Sequence, residues 1–206
     1  MKEMPLHRRD YPILGFLEEC NKIDMEKKIL DCGAGGQHPP LAVFHRAGYE
    51  TYGIDNSDSQ IERANNYAKE HNMEFNIIDG DIRDLPYDDE SFSFVFSHHT
   101  IHHMPKVEVE KTVKEMVRVL KPGGLIFVNF PSIGCASYGE GEEVAKGEFL
   151  QLESDGEKVI HCFFDDNDAD SYFDNCEILS KNKMKLLINS GWYHGISMIE
   201  YVAQKK

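Results

Sequence analysis

The chain reads as an α/β protein built on a doubly wound, mostly parallel sheet, and three observations predict this. Short apolar runs of strand length alternate with segments of helical periodicity through residues 27–130. Asp31, Asp55, Asp81 and Ser97 each stand at or just past the end of a strand run. Beyond residue 130 the alternation gives way to polar, glycine-rich sequence and then to two strand-like runs suited to an antiparallel pair. Right-handed crossovers in such a sheet place a ligand outside the carboxyl ends of the strands, where the winding reverses. The four polar strand ends therefore belong to one rim.

Residues 11–23 have the spacing of a short amphipathic helix. Ile29-Leu30-Asp31-Cys32 then runs into Gly33-Ala34-Gly35-Gly36, a buried strand emptying into a tight turn. Glycine there permits positive φ and lets a ligand lie against bare backbone. Asp31 at the mouth of the turn is a poor partner for phosphate and suits an amine or a sulfonium. Pro39 and Pro40 sit where a first helical turn tolerates them, ahead of a helix through residues 41–44 that ends by Gly48. Residues 51–54 form a second strand ending at Asp55, and Ser57-Asp58-Ser59-Gln60 matches a capping box opening a helix to about residue 71. Residues 75–78 and 92–96 read as the third and fourth strands. Val109, Val113, Met116, Val117 and Leu120 give residues 106–120 a helical stripe, followed by the turn Lys121-Pro122-Gly123-Gly124 and a strand over residues 125–130.

Ser154-Asp155-Gly156-Glu157 marks a hairpin turn between strands at 148–152 and 158–163, and a short helix spans 166–173. Strands at 178–188 and 196–203, joined by Asn189-Ser190-Gly191, close the sheet. The reading is one domain over residues 1–206, with a core at 27–130, a lid insert at 131–164 and a closing hairpin at 176–206.

The charge balance narrows the partners. With 22 Lys and Arg against 36 Asp and Glu, the net charge is −14, which argues against nucleic acid and anionic membrane. The five cysteines form no C-x-x-C pair, as expected of reduced thiols in the cytoplasm. The sequence shows neither a secretory leader nor a run long enough to span a bilayer.

Together, Ile-Leu-Asp-Cys-Gly-Ala-Gly, Tyr-Gly-Ile-Asp-Asn-Ser, Gly-Asp-Ile-Arg-Asp-Leu-Pro, Asp-Glu-Ser-Phe-Ser-Phe-Val-Phe-Ser and Leu-Lys-Pro-Gly-Gly resemble the class I S-adenosylmethionine-dependent methyltransferases, in particular small single-domain members related to those of quinone biosynthesis. The resemblance covers residues 27–130 well and the closing hairpin more loosely. It implies a Rossmann-like seven-stranded sheet with a C-terminal antiparallel hairpin and helices on both faces. It also implies S-adenosylmethionine as cofactor and a small-molecule methyl acceptor. By the resemblance, Asp31 and the backbone of Gly33, Ala34 and Gly35 face the methionine end of the cofactor. Asp55 takes the ribose hydroxyls, Asn56 lies beside the adenine, Asp81 accepts from its amino group and Ile82 packs on the ring. Ser97 or His98 lines the floor near the sulfonium. The family's third glycine is replaced by Gln37, which leaves the path of the loop open.

Competing readings remain at this point. A dinucleotide oxidoreductase needs glycine where His38 stands, and Asp31 would repel a pyrophosphate. A non-catalytic S-adenosylmethionine-binding module of the same fold is a second alternative. His98, His99, His102 and His103 include pairs four apart, but no nearby acid completes a set, so no metal is expected. Asp166 to Glu177 nearly spells a calcium loop, yet Ser171 replaces its glycine and strands flank it. Cys32 reads as a buried filler, since no cation adjoins it. Should the acceptor need a general base, His103 and His161 are the choices, because imidazole titrates near neutrality. Tyr11 and Glu153 are candidate substrate contacts.

Overall fold

The computed structural model describes residues 11–152, 156–186 and 195–206. Among these described residues, ten strands and four α-helices follow in the order α1 (Tyr11–Cys20), β1 (Lys28–Cys32), α2 (Leu41–Arg46), β2 (Glu50–Asp55), α3 (Asp58–His71), β3 (Ile77–Asp79), β4 (Phe92–Ser97), α4 (Lys106–Val119), β5 (Leu120–Pro131), β6 (Glu142–Ala145), β7 (Glu148–Leu152), β8 (Lys158–Cys162), β9 (Cys176–Leu186) and β10 (Ile196–Lys205). Seven of the strands form one sheet, ordered β3-β2-β1-β4-β5-β10-β9. β1 to β5 are mutually parallel, whereas β10 runs antiparallel to both β5 and β9. The winding leaves β1 in both directions, so the switch point lies between β1 and β4, where the rim described above was expected.

Both faces of this sheet are covered. On one, Phe16 of α1 meets Phe44 of α2 and the strand residues Phe96 and Phe127, with ring centroids 6.0, 6.3 and 5.6 Å away. On the other, Val109, Val113 and Met116 of α4 are fully buried against Val95, Ile126 and Val128. A 3-10 turn, Asp170–Phe173, extends that second layer, with Phe173 stacked on Tyr201 at 4.9 Å.

Several boundaries differ from the sequence-based expectation. The helix expected to run through Leu120 ends at Val119, and Lys121-Pro122-Gly123-Gly124 lies inside β5. There the pairing jumps from Phe92 with Leu120 to Phe94 with Leu125, so the turn residues are absorbed as a bulge. Gly123 supplies the positive φ of +78°. β3 starts only at Ile77 because Asn76 takes a left-handed φ of 47°. Ser57 is the N-cap of α3, but its hydroxyl lies 3.2 Å from Ser59 Oγ and makes no capping bond, so the capping box does not form. The helix expected over 166–173 is only the 3-10 turn. β6 was not foreseen, and it completes a separate antiparallel sheet, β6-β7-β8. Residues 154–155 and 189–191 of the expected turns lie outside the described residues.

The small sheet docks on the turn between β4 and α4. Cys162 N donates to His102 O at 3.0 Å, and Lys106 N donates to Glu148 Oε1 at 2.9 Å.

Candidate active site

Asp31, the penultimate residue of β1, is 1% exposed, yet among the described residues neither of its carboxylate oxygens has a hydrogen-bond partner. Burial pushes its carboxyl well above the usual carboxylate range, and the neighbouring Asp55 charge adds to the effect. The loop that follows is held by backbone bonds: Gly33 N and Ala34 N both donate to Ile54 O, at 2.8 and 3.1 Å. Gly33 has φ +99°, and the side chain of Thr100 fills the space a Cβ would need. Gly35 is confined equally, since a Cβ there would lie 2.7 Å from Asp55 Oδ2. The departure at Gln37 has a simple resolution. The positive φ falls one residue earlier, at Gly36 (+106°), whose amide donates to Gln60 O at 3.0 Å.

Asp55 closes β2 with its carboxylate oriented by two backbone amides, Gly35 N to Oδ2 at 2.9 Å and Ser57 N to Oδ1 at 3.0 Å. Each oxygen keeps a lone pair for a further donor. Asn56 beside it is exposed, and Ile82 is buried in the α4-side core. Asp81 follows β3 and is already engaged: Arg83 Nη2 and Nε bind Oδ2 at 2.6 and 3.0 Å, and Nε also reaches Oδ1 at 2.9 Å. The guanidinium holds that carboxyl below its ordinary range. An adenine amino group at Asp81 must share the carboxylate with Arg83.

The two residues expected on the floor divide. Ser97 is buried and donates to Cys32 O at 2.7 Å, which ties the ends of β4 and β1 together. The hydroxyl is thus committed to the scaffold. His98 is partly exposed beyond the strand end, its ring 4.3 Å from that of His99. His99 takes a left-handed φ of 59°, and its amide donates to Asn129 Oδ1 at 2.8 Å.

Asn129 leads to a cavity. It is 1% exposed, its Nδ2 lacks a hydrogen-bond partner among the described residues, and it pairs directly with Glu200 of β10. Directly paired residues point to the same face, so Asn129 and Glu200 lie side by side under α1. Glu200 lines a cavity of about 330 Å³ with Tyr11, Phe16, Glu19, Asn182 and Met184. Its Oε1 is buried without a hydrogen-bond partner among the described residues, and burial raises its carboxyl to about 7. The structure places Tyr11, largely exposed, at the edge of this cavity, whereas Glu153 lies outside the described residues. Beside the small sheet, His103 and His161 come together, with ring centroids 4.6 Å apart, and His102 joins them. Burial, and then the neighbouring His103, His99 and His161, depress His102 well below the ordinary imidazole value.

Residues 30–128, which carry the glycine turn, Asp55 and Asp81, match the family model described as a methyltransferase domain. The chain is thus similar, over just under half of its length, to methyltransferase domains. It is similar to the sterol 24-C-methyltransferase of Candida albicans, 33% identical over 115 residues that cover 55% of this chain and 30% of that protein. It is also similar to the uncharacterized methyltransferase YcgJ of Bacillus subtilis, 33% identical over 112 residues covering 54% and 43% of the two proteins. The chain therefore spans less than half the length of these curated relatives. Among solved structures, a S-adenosylmethionine-dependent methyltransferase of Methanosarcina mazei superposes with a TM-score of 0.78 at 22% identity, covering 95% of this chain and 97% of that one. The 1,6-didemethyltoxoflavin-N1-methyltransferase of Burkholderia thailandensis, solved with S-adenosylhomocysteine and 1,6-didemethyltoxoflavin, gives 0.66 at 11% identity over 97% and 79%. These two likenesses show a shared fold.

Three features of the site escaped the sequence reading. Arg83 stands two residues from Asp81 and was legible as a partner. Glu200 had a weaker signal, a lone acid within the apolar run Ile-Ser-Met-Ile-Glu-Tyr-Val-Ala. Asn129, at the end of an apolar strand, had none beyond its polarity. The near-calcium segment is tied up internally, since Lys181 Nζ binds Asp170 at 2.9 Å and Lys183 pairs with Asp166.

Proposed function

We propose that this chain transfers the methyl group of S-adenosylmethionine to a small-molecule acceptor seated against α1 and β10. The observation that carries the reading is Asp31, a buried carboxylate with two unpartnered oxygens beside a glycine turn of positive φ. A buried charge without partners is costly, and a ligand bringing an ammonium group compensates it. A pyrophosphate at this position would add repulsion instead. When bound, the cofactor supplies an electrophilic sulfonium methyl and departs as S-adenosylhomocysteine.

The chain's own residues do the positioning. Asp31 and the backbone of Gly33, Ala34 and Gly35 hold the methionine end, and Asp55 receives the ribose hydroxyls. Asn56 flanks the adenine, Asp81 shares its carboxylate between Arg83 and the adenine amino group, and Ile82 backs the ring. His98 and His99 then border the methyl end. Alignment of acceptor, methyl and sulfur is where such a site gains rate, since holding reactants in line replaces a bimolecular encounter. Glu200 is the proton acceptor for a neutral nucleophile, ahead of His103 and His161, because it lines the cavity next to Asn129 while those histidines are gathered with His102 under the small sheet. The segment 131–164, containing β6 to β8, serves as the lid, and the closing pair β9-β10 as the acceptor's wall. A net charge of −14 favours a small acceptor over nucleic acid, and five free thiols suit a reducing, cytoplasmic setting.

Calorimetry tests the reading. The chain should bind S-adenosylhomocysteine and not NAD, and with S-adenosylmethionine it should methylate at least one member of a panel of phenols, amines, thiols and enols. NAD binding without S-adenosylhomocysteine binding overturns the cofactor assignment. Cofactor binding with no methylated product across the panel favours a binding module.

A further inference from the structure

His102 and His103 lie in the turn after β4, whereas His161 lies on β8, far along the chain in the separate small sheet. The fold nevertheless brings one ring nitrogen of each within 4.8 Å of the other two. The approach is fixed by backbone: Cys162 N, the next residue after His161, donates to His102 O at 3.0 Å. Ring centroids are 4.1 Å apart for His102 and His103, 4.6 Å for His103 and His161, and 6.0 Å for His102 and His161. His102 Nδ1 is buried and has no hydrogen-bond partner among the described residues. We propose that His102, His103 and His161 bind one divalent transition-metal ion, of the zinc class, which pins the small sheet to the turn between β4 and α4.

The donor chemistry selects the ion. Three imidazoles with no carboxylate suit zinc, cobalt, nickel or copper, while calcium and magnesium demand oxygen ligands. Tetrahedral zinc with nitrogen ligands at about 2.0–2.1 Å needs those nitrogens about 3.4 Å apart. Rotation of the side chains closes the remaining gap, and His103 is exposed. Three protein ligands leave a fourth position for water or for a donor atom of a bound molecule. Local spacing within residues 98–103 offers only pairs of histidines four apart, and the third ligand proposed here, His161, comes from a distant strand.

The site is independent of the cofactor assignment, so its test reads metal directly. Untagged, chelator-treated protein titrated with zinc chloride should bind one equivalent with a dissociation constant of about 10 µM or tighter. Cobalt substitution should give the visible absorption of a tetrahedral nitrogen-ligated site. His103→Ala removes an exposed ring at little risk to folding, and His161→Asn provides a second variant. Each should weaken zinc binding at least about tenfold, while His45→Ala on α2 should not. Zinc should also raise the melting temperature of the parent chain and not that of His103→Ala. No binding below about 100 µM, or equal binding by parent and His103→Ala, overturns the site.

Discussion

Asp31 is an ionisable group kept where a neutral one would cost less. Its folded-state carboxyl lies above the unfolded value through burial and the nearby Asp55 charge. A raised carboxyl pKa contributes stability below the unfolded value and loses it as pH rises through the folded one. At neutral pH the ligand-free chain therefore bears the cost. Asp31→Asn keeps the shape and removes the charge, so without ligand it should melt about 2–8 °C above the parent, as about 1–2 kcal/mol of relief requires. Its affinity for S-adenosylhomocysteine should fall at least about tenfold, since charge-assisted contacts are worth about 1.5–3 kcal/mol each. A higher melting temperature with unchanged affinity would remove Asp31 from the site. Asp55→Ala should weaken the same ligand at least about tenfold through loss of paired acceptors. Glu200, raised to about 7 by burial alone, is surrounded by Tyr11 and Glu19 of α1 and by neutral Ser180, Asn182, Met184 and Asn129. It should lose its proton as pH rises through about 7, so turnover of a neutral acceptor should climb over that range. Glu200→Gln should flatten the profile and lower kcat by about 10²–10⁴ with S-adenosylhomocysteine affinity intact. An unchanged profile would give the proton to another group. Its stability signature has the same sign as that of Asp31: the parent should lose stability between about pH 4.5 and 7, and the Gln variant should not.

Helix α1 shows how an element serves the core and the cavity together. Phe16 is 1% exposed, contacts three aromatic rings and also lines the Glu200 cavity. Phe16→Ala should cost about 3–5 kcal/mol, measured by urea denaturation. A cost under about 1 kcal/mol would mean that α1 is not packed as described. The strands that build this core were legible because their residues are apolar on both faces or alternate cleanly, as in Phe-Ser-Phe-Val-Phe of β4. β6 was not, since Glu142, Glu143, Val144 and Ala145 are all exposed and give no period to read. The Lys-Pro-Gly-Gly signal was locally right, with Gly123 at positive φ, but pairing with β4 overrode it and left a bulge. Local chemistry predicts a turn; only the neighbouring strand decides whether the ladder resumes around it.

At the scale of the whole molecule, strand order explains which site residues were legible. Asp31 and Asp55 end adjacent parallel strands, so the sequence placed them on one rim and the structure oriented Asp55 with the amides of Gly35 and Ser57. Glu200 and Asn129 meet only because β10 inserts between β5 and β9, a choice no spacing announces. That insertion makes β10 continuous with the cofactor strands, and the chain should therefore unfold as one unit. Far-ultraviolet and tyrosine circular dichroism should give coincident thermal transitions. S-adenosylhomocysteine, by binding the folded chain alone, should move the whole transition upward. At 100 times its dissociation constant it adds about 2.7 kcal/mol, which for a chain of this size is about 5–11 °C. A ligand that shifts only one of two separated transitions would show that the β9-β10 pair is not coupled to the cofactor rim, and the acceptor cavity would then have to be sought elsewhere.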